Sequence, residues 1–170
     1  MRAAEDARVN TIEFLRHPAP EHPRASVWAV RVDGVDLRRR VADATRALWH
    51  PELADQFDDQ EREEEELLLT QHAGLPAAEF APAHFLTPAD TAPVLGCPCG
   101  IWDCWPLLAH IGTTPESITW TAFRQPHRPQ WGTLPLGPFT FARTPYEKAL
   151  ATAPTVAQDP LEDEDPASRP

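Results

Sequence analysis

The chain is poor in the residues that most enzymes use. Lysine occurs once, at Lys148 on the outer side of an expected helix, so Schiff-base and P-loop chemistry have no lysine to draw on. Serine occurs three times: Ser26 opens a strand pattern, Ser117 sits in a hairpin turn and Ser168 lies near the C-terminus. None stands in a nucleophile elbow. The seven glycines occur singly at turns, so no glycine-rich loop is present to cradle a phosphate. H-E-x-x-H and EF-hand spacings are absent, and the carboxylates crowd into solvated runs, poor ground for acid–base work. Hydrolase, kinase and dinucleotide oxidoreductase chemistry are disfavoured on these grounds. No window approaches ~18 consecutive apolar residues, so no membrane span is expected. The opening "MRAAEDARVN" has no apolar stretch of the secretory kind. The expected compartment is a reducing cytoplasm, where clustered cysteines read as metal ligands or free thiols before disulfides.

Proline and acid are what the chain has in excess. Of 170 residues 20 are proline, about 12% against a usual ~5%, which implies short elements and long extended connections. An apolar content of 42% is nevertheless that of a folded protein. The net charge of −11 comes almost entirely from "DDQEREEEE" (58–66) and "DPLEDEDPASRP" (159–170), both read as solvated face or tail. The one cationic run, "LRRRV" (37–41), falls on an expected helix, so no basic surface for nucleic acid is visible.

Hydrophobic periodicity divides the chain into an N-terminal arm (1–8), an α+β domain (9–153) and a disordered acidic tail (154–170). "VNTIEFL" (9–15) and "SVWAVRV" (26–32) alternate as half-buried strands, with Trp28, Val30 and Val32 facing the core. After the turn signal Asp33-Gly34, Asp36 caps a helix whose stripe is Leu37, Val41, Ala44, Thr45 and Leu48, ending before Pro51. A second helix spans 59–72, with Leu67, Leu68 and Leu69 inward. Residues 74–93 read as an extended loop tacked down by Phe80, Phe85 and Leu86. Residues 107–112 and 118–123 form an expected hairpin, and 139–143 another short strand. Thr144, Pro145 and Glu147 form an expected capping box, opening a helix from Pro145 to about Ala153. The fold class expected is an antiparallel sheet of about five or six short strands with two or three helices.

All three cysteines lie within "VLGCPCGIWDCWPLLAHI" (94–111). Cys97 is held extended by Pro98, Gly100 can turn the chain, and Cys104 can return toward the first two sulfurs. Three readings stay open. A structural zinc site would use Cys97, Cys99 and Cys104 with His127 as fourth ligand, His110 and Asp103 standing behind it. Alternatively the thiols pack as small hydrophobes beside Trp102 and Trp105. A redox or reactive thiol is the third, with no neighbouring lysine to favour the thiolate. Downstream, "ITWTAFRQPHRPQW" (118–131) sends Trp120 and Phe123 to the core and offers Arg124, His127, Arg128 and Trp131 as a binding face for an acidic or anionic partner. Six tryptophans exceed what such a core needs, so at least one is expected to face solvent.

These two segments, followed by "GPFTFARTPYEKAL", resemble a group of small bacterial proteins sharing a C-x-C-G…C-W segment, W-x-x-F-R-Q-P-H-R and a C-terminal F-x-F…Y-x-x-A-L. The resemblance covers about residues 94–150, more weakly "VWAVRVDGVDL". It implies no activity, cofactor or partner, only that the three segments belong to one folded unit. The function expected is therefore that of a non-catalytic adaptor-type protein with a protein partner, the alternative being a small zinc-binding protein.

Overall fold

The N-terminal alternation builds the first strand pair. The computed structural model describes residues 9–20 and 22–163. Strand β1 (Ile12–Pro18) pairs antiparallel with β2 (Ser26–Val32), from Ile12↔Val32 to Pro18↔Ser26. That register sends Phe14, Trp28, Val30 and Val32 into the core. Val27 and Ala29, on the opposite face, are buried as well, so β2 is covered on both sides rather than on one. The Asp33-Gly34 turn then lays the two-residue β3 (Val35–Asp36) on β2.

Asp36 ends β3 and caps α1 (Leu37–Leu53), its carboxylate accepting from the Arg38 amide at 2.9 Å. The expected stripe is the packed one: Leu37, Val41 and Thr45 are buried, and Ala44 and Leu48 lean on the core. The helix does not stop before Pro51. Proline forfeits only its own amide, and the ladder resumes behind it with Ala54 donating to the His50 carbonyl at 2.9 Å. Helix α2 (Gln60–Thr70) begins after Asp59 and packs on α1. Of its three leucines Leu68 alone is fully buried. Its acidic face is only partly solvated, because Glu64 is buried and accepts from Gln60 at 2.8 Å, while Glu65 pairs with Arg46 at 2.5 Å.

The second sheet has the order β4 (Ala89–Leu95), β5 (Leu107–Thr113), β6 (Ser117–Arg124), β7 (Phe139–Ala142). Strand β4 and a short 3-10 turn (Pro82–Leu86) replace the extended loop expected over 74–93. Pro93 is tolerated because it sits where the β4–β5 register slips, on the outermost strand of that sheet. Helix α3 (Arg143–Ala151) starts two residues before Pro145. Ala142 is its cap, no side chain closes it, and the expected Thr144 box does not form. Arg143, now the first helical residue, instead donates to the Thr114 carbonyl at 2.8 Å and to Glu147 at 3.0 Å, joining the helix start to the β5–β6 hairpin.

Backbone hydrogen bonds connect the two sheets into a ring. Asn10 donates to the Thr140 carbonyl at 2.6 Å, linking β1 to β7. On the far side, residues 73–77 run between β2 and β4: Trp28 donates to Leu75, Ala77 to Ser26, and Ala73 and Gly96 exchange a pair of bonds. One aromatic core fills the ring, with Phe14, Trp28, Phe85, Trp120, Phe141 and Tyr146 in mutual contact. Tyr146 is placed by its hydroxyl, which donates to the Phe85 carbonyl at 2.6 Å and accepts from Trp120 at 3.2 Å. The architecture is α+β, with seven strands in two antiparallel sheets and three helices among the described residues, where one sheet of five or six strands was expected. None of those helices is long and apolar enough to cross a membrane.

The segment after α3 is built in as far as it is described. Thr155 bridges in parallel to Arg16, with Arg16 donating to Pro154 and Val156 to Arg16. Asp159 then grips Arg38 at 2.7 and 2.9 Å, and the same guanidinium pairs with the capping Asp36 at 2.8 Å. Buried charges paired in this way explain why the expected disorder from residue 154 does not set in there. The "LRRRV" run is likewise spent inside the molecule, Arg38 and Arg39 being buried. The expected N-terminal arm, residues 1–8, and residues 164–170 of the expected tail lie outside the described residues.

Candidate metal centre and the tryptophan face beside it

The cysteine loop is a folded-back turn held at both ends. It leaves β4 at Gly96, which is bonded to Ala73, and re-enters the sheet after Trp105. Beneath it lies His72, whose Nδ1–H donates to the Trp105 carbonyl at 3.1 Å and whose ring also meets the Gly96 backbone. Burial pushes the His72 imidazole down from 6.5 to about 4, so it stays neutral and serves as a clamp between the two ends of the loop.

Within the loop, Cys97-Pro98-Cys99-Gly100 makes a turn closed by the Gly100 amide on the Cys97 carbonyl at 3.2 Å, with Gly100 at φ 97°. A 3-10 turn (Trp102–Cys104) follows and doubles back. It can do so because Gly96 has no side chain: a Cβ there would stand 2.9 Å from the Trp102 Cβ. Trp102 is seated edge-on against Phe80, ring centroids 5.3 Å apart. The result is convergence: the sulfurs of Cys97, Cys99 and Cys104 all lie within 4.8 Å of one another, and all three cysteines are free.

Two of the open readings change on this geometry. Cys99 and Cys104 are exposed and Cys97 is half-buried, so the thiols are not packed as core hydrophobes. Burial first pushes the Cys97 thiol up to about 11, offset in part by the Cys99 amide, which donates to its sulfur at 3.5 Å. Hydrogen bonding at the Ile101 backbone, then the Cys97 thiol, holds Cys99 below its ordinary value. Three sulfurs at this spacing suit a thiophilic ion. A regular zinc tetrahedron with bonds of about 2.3 Å has sulfur–sulfur edges of about 3.8 Å, so the loop needs to tighten by no more than about 1 Å. Each thiol must give up its proton to a metal, which makes binding proton-releasing.

His127 does not join the three sulfurs, contrary to the expected ligand set. Its ring stacks on Trp105 (5.8 Å, 18°) and its Nε2 stands 3.5 Å from the Asp103 carbonyl. His110 is on β5, facing Asp90 at 3.4 Å, and Asp103 is not part of the cluster either. One imidazole that sequence spacing gave no reason to consider approaches the loop, though it too stands outside the three-sulfur group: His22, in the β1–β2 connection, whose Nε2 and Cδ2 lie 3.8 Å from where a Gly100 Cβ would be.

Of the expected binding face, His127, Arg128 and Trp131 come together and Arg124 lies to one side. The Arg128 guanidinium sits among three half-buried tryptophans, 5.3 Å from Trp49, 5.1 Å from Trp105 and 5.9 Å from Trp131. It also reaches Glu52 at 3.5 Å. Trp49 and Trp131 meet edge to face at 5.2 Å, so α1, the cysteine loop and the 129–131 turn share one aromatic cluster. Arg124 is exposed at the end of β6 and lines an open groove of ≈ 390 Å³ with Pro126, Pro129 and Gly132. Trp28 and Trp120 are buried in the core, Phe123 with them, while the other four tryptophans are half-buried rather than outward-facing. No protein-family model matches this chain, and comparison with curated proteins and with solved structures returns no match either.

Proposed function

We propose that this is a small metal-binding protein without catalytic activity, which holds one zinc-class ion on Cys97, Cys99 and Cys104. The convergence of three accessible thiols on a loop clamped at both ends carries the reading. Thiolate donors select zinc over the hard cations that prefer oxygen. A reducing cytoplasm is the compartment that keeps these thiols available. Zinc here is structural, tying the loop into a fixed shape beside the tryptophan cluster. Thiol-redox chemistry is the weaker alternative, since no lysine stands beside the loop and all three sulfurs, rather than one pair, converge. The test is elemental analysis of tag-free protein purified under reductant. About one zinc per chain is expected, falling away in Cys97→Ser and Cys104→Ser; less than about one zinc per two chains counts against the site.

A second reading keeps the adaptor role, with a protein partner on the face formed by His127, Arg128 and Trp131 and edged by Arg124. It is favoured by one observation, the half-buried tryptophans gathered around a cation at the surface. Such aromatic and arginine groups dominate protein interfaces. A pull-down comparing wild type with Trp131→Ala and Arg128→Ala tests it; a partner retained by both variants rules this face out.

A further inference from the structure

We infer that His22 is the fourth ligand, completing a Cys97/Cys99/Cys104/His22 zinc site that links the β1–β2 connection to the cysteine loop. The inference rests on the metal reading above and specifies its donor set. Three thiolates leave a tetrahedral ion one position short, and a structural zinc closes it with a side chain of the protein. The described residues near the loop offer four groups for that position. His72 lies behind the loop and is committed to the Trp105 carbonyl at 3.1 Å. His127 is stacked flat on Trp105, and moving it would dismantle the contact that seats Trp105 beside Arg128. Asp103 is pinned inside the 3-10 turn, one residue before Cys104.

His22 also lies outside the three-sulfur group but has none of these commitments. It is exposed, and its ring has no hydrogen-bond partner among the described residues. Its backbone is fixed, however: Ala25 donates to the His22 carbonyl at 2.8 Å and Ala19 to Ala25 at 2.9 Å, so the turn that carries it is closed. With Cys97, Pro98, Gly100 and Trp102 it lines one small cavity of ≈ 80 Å³. The imidazole edge lies 3.8 Å from the position a Gly100 Cβ would occupy, in contact range of the bend between Cys99 and Ile101. Rotation about the His22 side-chain bonds, which breaks no hydrogen bond among the described residues, would bring Nε2 toward the cluster. The bond of about 2.0–2.1 Å that zinc makes to imidazole nitrogen then draws the connection onto the loop.

Cobalt(II) is the probe, since it takes zinc sites and reports donor type by colour. Reduced wild type, His22→Ala and His127→Ala are titrated with Co²⁺, and circular dichroism checks that each is folded. Wild type is expected to show a tetrahedral spectrum with thiolate charge-transfer bands. His22→Ala is expected to keep the charge-transfer intensity of three thiolates, to change its d–d envelope, and to lose more than the about 10–100-fold in affinity typical of an outer-shell change. His127→Ala is expected to match wild type. Wild-type affinity and spectrum in His22→Ala, or the loss appearing in His127→Ala instead, overturns the assignment. A wild type that shows no thiolate–cobalt bands fails the metal reading itself, and this assignment with it.

Discussion

One buried imidazole should make the protein acid-sensitive by an amount the structure allows to be worked out. His72 is 4% exposed, and burial lowers its pKa from 6.5 to about 4. Above pH 6.5 the ring is neutral in both the folded and the unfolded chain and makes no difference between them. As the pH falls, the unfolded chain takes up a proton near 6.5 while the folded chain refuses it until about 4. Stability is therefore fully present above 6.5 and is lost as the pH drops through that window. Each tenfold difference in proton affinity is worth about 1.4 kcal/mol, so the loss totals about 3 kcal/mol, a large share of a usual ~5–15 kcal/mol. Urea unfolding measured between pH 7.5 and pH 4, for wild type and His72→Asn under the same reductant and metal conditions, reads it directly. Asparagine keeps a donor near the Nδ1 position for the Trp105 carbonyl and removes the titration. His17 and Asp159 also have lowered pKa values, His17 through burial and Asp159, against the upward push of its own burial, through Arg38 and its other partners together, but both are present in each protein and cancel in the difference. The wild-type curve should fall more steeply than the variant's by about 3 kcal/mol in total. Parallel curves would refute the claim that His72 is held neutral by burial.

Two further substitutions address the parts that hold the ring together. Arg38→Met takes the guanidinium away from Asp36, whose side chain is 1% exposed. Chemical denaturation should show a loss of about 3–5 kcal/mol, the usual cost of breaking a buried ion pair from one side. Tyr146→Phe removes the hydroxyl that serves both the Phe85 carbonyl and the Trp120 indole, so a loss of about 1–3 kcal/mol is expected with the far-ultraviolet spectrum unchanged.

Legibility in the sequence followed the range of the physics involved. Alternation of period two made β1, β2 and the β5–β6 hairpin readable, and the stripe from Leu37 to Leu48 made α1 readable, because these patterns are local. Strand β4 was hidden by Pro93, and its place in the sheet depends on pairing with residues a dozen or more positions away. The Thr144 box was a valid local signal, outcompeted when β7 ran directly into α3 and gave Arg143 two acceptors. Asp159 looked like one more acid in a solvated tail; its buried partner is 121 residues upstream, out of reach of any window. The convergence of three sulfurs was suggested by spacing alone. The approach of His22 was not, because the turn bearing it meets the loop only through the folding of both sheets.

The ring is completed by contacts between sequence extremes: Asn10 with Thr140, Arg16 with Thr155, Arg38 with Asp159. A chain emerging from the ribosome therefore carries β1 and β2 for most of its synthesis with one margin bare and the Arg38 guanidinium lacking its Asp159 partner. Final closure must wait for the translation of residue 159, and loop closure over such spans is slow. During that interval the nascent polypeptide exposes an unpaired strand margin, the kind of surface that makes incompletely folded chains prone to aggregate.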